Sequence, residues 1–187
     1  MDKKILEQYL NQKLNITIFQ ELDSTNTYLK KSGSQGEKEN QLVIALSQTG
    51  GRGRMGRSFY SPNGTGIYFS LLLHPEFSAE KSLFLTVMAA VSVAETVMKY
   101  NSNDVKIKWV NDIFINSRKV CGILAESFVS PSNDSPYIIV GIGINVSTSY
   151  SDFPDELSDI AGSLSPTETN RNFIIARLLN ELALVYS

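Results

Sequence analysis

The chain has 187 residues and a net charge of −2 at pH 7, so we expect residues 1–187 to form one domain. The slightly acidic balance gives no global basic field for holding DNA or RNA. No apolar run approaches the length of a membrane span, and the N-terminus lacks a long apolar signal segment, so we expect a soluble, cytoplasmic protein without membrane contact. A single cysteine and a single histidine exclude a disulfide framework and a zinc cluster built from those residues.

The first third of the chain alternates helical and strand patterns. Apolar residues at helical spacing predict a short helix over residues 3–12, and the cluster Asp23–Asn26 supplies N-cap residues for a helix that runs to about Lys31. Alternating or continuous apolar runs predict three strands: Ile16–Leu22, Leu42–Leu46 and Ile67–Leu73.

A glycine- and arginine-rich loop lies between the second and third of these strands. Residues Gln48–Arg57 contain four glycines and three arginines. Glycine lets the backbone bend sharply and approach a ligand closely, and arginine supplies forked donors suited to carboxylate and phosphate. This pattern predicts a loop that closes on an anion. Because the loop has little apolar content, we expect it to be mobile when empty and ordered when a ligand is bound.

The remaining residues predict more strands than helices. The expected strands are Val105–Trp109, Ile113–Ile115, Lys119–Phe128 and Tyr137–Val146, and the expected helices are Ser82–Tyr100, Asp155–Ile160 and one from Thr169 or Asn170 to Tyr186. Trp109 is expected in the core. Most successive strands are joined by turns too short for a parallel crossover, so the pattern favours an α+β domain with a largely antiparallel sheet over a doubly wound parallel sheet.

Four ordered motifs together resemble the catalytic domain of biotin protein ligases. They are Asp23–Asn26, Gly51–Arg57, Lys108–Asp112 followed by Lys119–Leu124, and Val140–Val146; Phe153-Pro154 and Ala161–Leu164 extend the likeness. The resemblance implies the class II aminoacyl-tRNA synthetase/biotin synthetase fold, a largely antiparallel mixed sheet flanked by helices. It also implies a ligase that uses ATP to activate biotin as biotinyl-5′-AMP, with Mg²⁺. Biotin is then transferred to one lysine of the biotin carboxyl carrier protein of acetyl-CoA carboxylase.

The resemblance assigns roles to individual residues. The biotin-binding residues it implies are Ser24, Thr25, Gln48, Gly51, Arg52, Lys119, Gly122 and Gly141. The nucleotide-binding residues it implies are Arg54, Phe59, Lys108, Asn111, Asp112 and Asn145, with Asp112 as the magnesium-linked carboxylate. The catalytic group it implies consists of cations that neutralise carboxylate and phosphate: Lys119, Arg52, Arg54 and Lys108.

The chain departs from the family pattern at two positions and in extent. Val110 stands where proline is common, and Phe59 stands where tryptophan is common. The motifs begin near the N-terminus, so we expect no preceding DNA-binding domain and no DNA partner. The chain ends at Ser187, where family members usually continue into a small β-barrel domain. Family members dimerise through sheet edges, and the residues leave open both a monomer and a homodimer.

Other functions are compatible with parts of the pattern. A lipoate or octanoate ligase or transferase would share the fold, and a non-catalytic biotin-binding module would share the pocket. A nucleic-acid binder that uses the arginine loop is disfavoured by the net charge. Simpler structural roles are also open: Ser24–Asn26 as a helix cap, Asn111-Asp112 as a turn, and Lys106 as part of an exposed strand face.

Overall fold

A computed structural model of the protein describes residues 1–35, 40–73, 82–100, 104–129, 136–164 and 170–186. The described helices are α1 (Lys3–Tyr9), α2 (Thr25–Ser34), α3 (Ser82–Tyr100) and α4 (Arg171–Tyr186). The described strands are β1 (Asn15–Leu22), β2 (Gln41–Gln48), β3 (Gly66–Leu73), β4 (Val105–Lys108), β5 (Asp112–Ile115), β6 (Arg118–Val129) and β7 (Pro136–Asn145).

The seven strands form one mixed sheet in the order β1-β2-β3-β7-β6-β5-β4. Strands β1 and β2 are parallel because α2 provides the crossover between them, and all other neighbours are antiparallel. A two-residue turn joins β5 to β6, in which Asn116 and Ser117 adopt positive φ angles of 49° and 64°, as a tight hairpin requires. The expected α+β fold with a largely antiparallel mixed sheet is confirmed.

The sheet is covered on both faces. Helices α3 and α4 pack over one face, where they form the main core with alternate residues such as Phe69 of β3 and Ile142 of β7. Helix α2 packs over the other face, where Leu29 contacts a smaller cluster with Val43 and Leu72. Since side chains alternate along a strand, Gly141 and Gly143 of β7 face the α2 side, beside the end of that smaller cluster.

The structure corrects three sequence expectations. Trp109 is 75% exposed, so its placement in the core is wrong; β4 is the edge strand and ends at Lys108, which leaves Trp109 in the turn outside the sheet. The first helix ends at Tyr9 because Leu10 is extended. The expected helix over Asp155–Ile160 is a single short turn, Asp155–Leu157. Within the described parts of the chain, no helix has the length and apolar character to cross a bilayer.

Candidate active site

Two connected cavities lie on the α2 side of the sheet. The inner pocket has a volume of about 30 Å³ and lies between the N-terminus of α2 and the glycines of β6 and β7. The outer cleft has a volume of about 450 Å³ and extends under the Gly/Arg loop toward β4, β5 and the segment around residues 153–161. Both cavities are lined by Arg52, Phe59, Gly122 and Leu124, so these residues mark the junction between them.

The first residues of α2 and the end of β2 form one wall of the inner pocket. Ser24 caps α2, since its side chain accepts a hydrogen bond from the backbone N–H of Thr27 at 3.4 Å. The backbone N–H of Thr25 donates to Gln48 Oε1 at 2.9 Å, and Gln48 Nε2 donates to Ser61 Oγ at 3.0 Å. The helix cap and these hydrogen bonds hold Ser24, Thr25 and Gln48 in place, and all three residues still line the pocket.

Glycines let the backbone form the opposite wall. A Cβ atom on Gly141 would lie 2.1 Å from Asn26 Oδ1, and one on Gly143 would lie 2.6 Å from the Phe59 ring. A Cβ atom on Gly122 would lie 3.2 Å from both Lys119 Nζ and the Phe59 ring. At Gly141 and Gly143, therefore, any larger residue would push a pocket side chain out of place.

The cations of the outer cleft are held in a chain of polar contacts. Lys119 Nζ lies 2.8 Å from Asp112 Oδ1, and Asn111 Nδ2 donates to the same oxygen at 2.9 Å. Arg54 Nη1 donates to Asn111 Oδ1 at 3.1 Å. Lys108 lies over the Phe114 ring, with Nζ 5.4 Å from its centroid. Within the described ranges, Arg54 and Lys108 form no ion pair with a carboxylate.

Phe59 and Asn145 give the cleft an aromatic surface and a free acceptor. Lys119 Nζ lies 5.9 Å from the centroid of the Phe59 ring. Asn145 is only 5% exposed; its Nδ2 donates to the Gly162 carbonyl at 3.0 Å, whereas its Oδ1 has no hydrogen-bond partner among the described residues. Because an unsatisfied buried oxygen costs about 1–3 kcal/mol, this atom suits a ligand N–H.

Most of the sequence-predicted site residues lie together. The inner pocket is lined by six of those expected at biotin: Ser24, Thr25, Gln48, Arg52, Gly122 and Gly141. The outer cleft is lined by Lys119 and by all six expected at the nucleotide: Arg54, Phe59, Lys108, Asn111, Asp112 and Asn145. Gly51 lines neither cavity; it is buried behind the loop, where its carbonyl accepts a hydrogen bond from Phe59 N.

Sequence reasoning assigned no site role to Glu126 or Asn26. Both oxygens of Glu126 pair with Arg52, and one of them also accepts from Asn26 Nδ2 at 2.9 Å. Asn26 lines the inner pocket. Its position directly after Ser24 and Thr25 in the same motif is the sequence signal that could have predicted this. Glu126 gave no such signal, because its partners Arg52 and Asn26 lie 74 and 100 positions earlier in the sequence.

Cys121 and Lys106 have surroundings that do not suit a chemical role in the site. Burial raises the pKa of the Cys121 thiol far above its ordinary value, a shift that nearby Lys119 only partly offsets. The thiol therefore stays protonated and is a poor nucleophile. Lys106 is exposed and pairs with Asp104 at 2.5 Å, as expected for an exposed strand face. Within the described ranges, no three His, Cys, Asp or Glu side chains cluster as a metal site.

The chain is similar to known ligases in sequence and structure. The sequence pattern of the Biotin/lipoate A/B protein ligase family matches residues 18–145. The bifunctional ligase/repressor BirA of Bacillus subtilis (strain 168) is 42% identical over 144 residues, which make up 77% of this chain and 44% of that protein. The biotin--[acetyl-CoA-carboxylase] ligase of Mycobacterium tuberculosis (strain ATCC 25618 / H37Rv) is 29% identical over 167 residues, or 85% of this chain and 59% of that protein.

A solved structure has the same fold. The biotin protein ligase from Aquifex aeolicus, in complex with biotin and ATP, superposes with a TM-score of 0.76 and 32% identity. The alignment covers 92% of this chain and 70% of that one. This chain spans less than half the length of the B. subtilis relative.

Proposed function

The chain belongs to the biotin/lipoate A/B protein ligase family, and we propose that it is an ATP-dependent ligase that activates biotin as biotinyl-5′-AMP and transfers it to a carrier protein. The observation that carries this proposal is the arrangement of the two cavities. A small pocket lined mostly by neutral donors and acceptors, with Arg52 at its mouth, opens into a larger cleft lined by cations and an aromatic ring.

The polar groups of the inner pocket suit the ureido ring of biotin, and the pocket, at about 30 Å³, must widen to admit that ring. That ring is uncharged and carries N–H donors and a carbonyl acceptor, so it needs neutral partners rather than charges. Ser24, Thr25 and Gln48 supply hydroxyl and amide groups, and the Thr25–Gln48 and Gln48–Ser61 hydrogen bonds fix their orientation before a ligand arrives. The backbone at Gly122 and Gly141 completes the binding surface. The biotin carboxylate would then lie at the junction, near Arg52 and Lys119.

The outer cleft suits the nucleotide and the first chemical step. An oxygen of the biotin carboxylate attacks the α-phosphorus of ATP, a carbon–oxygen–phosphorus linkage forms, and the bond to the β-phosphate breaks to release pyrophosphate. The two reacting groups are both anions, so their approach requires fixed positive charge. Arg54, Lys108 and Lys119 provide it. Phe59 offers a surface for the adenine ring, and the free Oδ1 of Asn145 is an acceptor for its amino group.

Magnesium would enter with ATP and be held by Asp112. Mg²⁺ is commonly bound by one or two carboxylates together with substrate phosphates, and it neutralises phosphate charge. Asp112 fits this role because it lines the cleft and is partly exposed, while Lys119 and Asn111 hold its Oδ1 in place. Among the described residues that line the cleft, Asp112 is the one carboxylate, and it is oriented for this role.

The second step needs no nucleophile from this chain. The ε-amine of a carrier lysine attacks the acyl carbon, the bond to the phosphate oxygen breaks, and AMP leaves. The protonated, buried Cys121 and the lack of a nucleophile–base pair among the described cleft residues agree with such a step. We propose that the carrier is the biotin carboxyl carrier protein of acetyl-CoA carboxylase, since relatives such as that of M. tuberculosis carry this carboxylase in their names.

Calorimetry with biotin and lipoate in parallel tests the substrate. We expect biotin to bind and lipoate to bind at least about tenfold more weakly, because lipoate has no ureido group to form hydrogen bonds with the polar groups of the inner pocket. A Thr25→Val variant, which keeps the shape of the side chain but removes its hydroxyl, should weaken biotin and leave lipoate unchanged. Stronger binding of lipoate than of biotin would overturn the assignment and favour a lipoate ligase.

A further inference from the structure

A mostly buried carboxylate holds the arginine at the junction of the two cavities. Glu126 Oε1 lies 2.9 Å from Arg52 Nη2, and Glu126 Oε2 accepts from Arg52 Nη1 at 2.9 Å. The Glu126 side chain is 20% exposed and the Arg52 side chain 44%. Desolvating a carboxylate is costly unless it is well paired, and the bidentate contact with Arg52 supplies that pairing.

Glu126 is itself fixed from two other elements. Asn26 of α2 donates from Nδ2 to Glu126 Oε2 at 2.9 Å and to the Leu124 carbonyl at 3.4 Å. Asn26 Oδ1 lies 2.6 Å from the hydroxyl of Ser70, which is completely buried in β3. The carboxylate is therefore held by a buried network on the sheet, whereas Arg52 belongs to the glycine-rich loop.

The pairing leaves Arg52 able to bind a ligand. A guanidinium has five N–H donors, and the bidentate pair uses one from each terminal nitrogen, so three remain. An arginine on a loop with four glycines would otherwise sample many orientations, and ordering it on binding would weaken affinity. Arg54 on the same loop differs, since its described contact is a single hydrogen bond to the neutral amide of Asn111.

We propose that Glu126 is a positioning residue: it holds Arg52 at the junction of the cavities, with three N–H donors available where the substrate carboxylate meets the α-phosphate. The proposal rests on the proposed function. The opposite role, in which Glu126 competes with the substrate carboxylate for Arg52, is less consistent with the geometry. Glu126 is fixed by Asn26 independently of Arg52, and the pair does not exhaust the donors of the guanidinium.

A double-mutant cycle on biotin binding tests the proposal. Glu126→Gln should raise the Kd for biotin about tenfold, because one of two charge-assisted hydrogen bonds to Arg52 is lost, and Glu126→Asp should recover part of the loss. In an Arg52→Ala background, Glu126→Gln should have no further effect, since Glu126 acts through Arg52. Tighter biotin binding by Glu126→Gln would overturn the proposal, as would effects that add in the double variant.

A second measurement needs no substrate and separates this proposal from the proposed function. Trypsin should cleave the ligand-free loop after Arg54 or Arg57 several-fold faster in Glu126→Gln than in the wild type. Glu95→Gln, a change at an exposed site on α3, is the matched control and should leave cleavage and biotin affinity unchanged. If the wild type binds no biotin, the proposed function fails; equal cleavage rates in the wild type and Glu126→Gln would overturn the role of Glu126.

Discussion

At the scale of single residues, the cleft concentrates charge on a few side chains with different partners. Lys119 is paired with Asp112 and Arg52 with Glu126, whereas Arg54 and Lys108 have no carboxylate partner among the described residues. A paired cation is held in position, and an unpaired one contributes more to neutralising an approaching anion. The paired cations therefore mainly orient the reacting groups, and the unpaired cations mainly neutralise the charge of those groups.

The Lys119→Ala variant tests the catalytic role of the Lys119 side chain, which is ion-paired with Asp112. We expect biotin-dependent ATP–pyrophosphate exchange to fall about 100-fold or more, since a positioned donor to the reacting anions is lost. The fold should survive because the Lys119 side chain is one-third exposed, at 33%. Lys106→Ala, at an exposed lysine paired with Asp104, is the control and should keep wild-type exchange. Unchanged exchange in Lys119→Ala would remove this lysine from the chemistry.

At the scale of elements, β7 serves both cavities from one face: Gly141 and Gly143 line the inner pocket, and Asn145 lines the outer cleft. Gly141 lies against Asn26 in the inner pocket, and Gly143 lies against the Phe59 ring at the junction. The strand residues between and beside them point into the core on the opposite face. A single strand thus supplies residues both to the expected biotin contacts and to the expected nucleotide contacts.

Alanine substitutions at these glycines should separate the two binding functions. Gly141→Ala should displace Asn26 and mainly weaken biotin, whereas Gly143→Ala should displace Phe59 and mainly weaken ATP. Each should also lower the free energy of unfolding by about 1–3 kcal/mol, as overpacking does. Calorimetry with each ligand measures the effect, and each variant is the control for the other. Equal losses of both ligands in both variants would contradict the separation.

The edge strand β4 ends in an exposed tryptophan that contributes little to the core. Trp109→Ala should change the free energy of unfolding by less than about 0.5 kcal/mol, because surface substitutions usually do. Val110→Ala, at the neighbouring buried residue, should cost about 1.6 kcal/mol at roughly 0.8 kcal/mol per methylene removed. Urea denaturation followed by circular dichroism measures both. A larger loss for Trp109→Ala than for Val110→Ala would place the indole in a packed environment.

At the scale of the whole molecule, local patterns predicted the elements better than their arrangement. The apolar runs of β2, β3 and β7 marked strands because those strands are mostly buried, and the short connections between β4, β5, β6 and β7 favoured antiparallel pairing. The insertion of β7 between β3 and β6 had no local signal, because that pairing joins distant segments. Trp109 was misplaced for the same reason: whether a strand lies at an edge is decided by the complete sheet.

For the candidate site as well, local motifs predicted individual residues better than they predicted contacts across the fold. Residues within recognisable motifs, such as Ser24 and Lys119, were predicted from the sequence and lie in the cavities. The division into a mostly neutral inner pocket and a cationic outer cleft, with Arg52 at their junction, emerges only from the packing of β6, β7 and α2. Glu126 depends on contacts across the fold, so its role at Arg52 required the structure.

Pyrophosphate release on mixing the protein with biotin and magnesium-ATP tests whether the chain forms an adenylate. We expect a burst of pyrophosphate that requires biotin, approaches one equivalent per protein because the adenylate stays bound, and disappears in Lys119→Ala. Carrier protein should then restart release by consuming the adenylate. Biotin binding without any biotin-dependent pyrophosphate release would contradict the proposed ligase activity and identify the chain as a binding module.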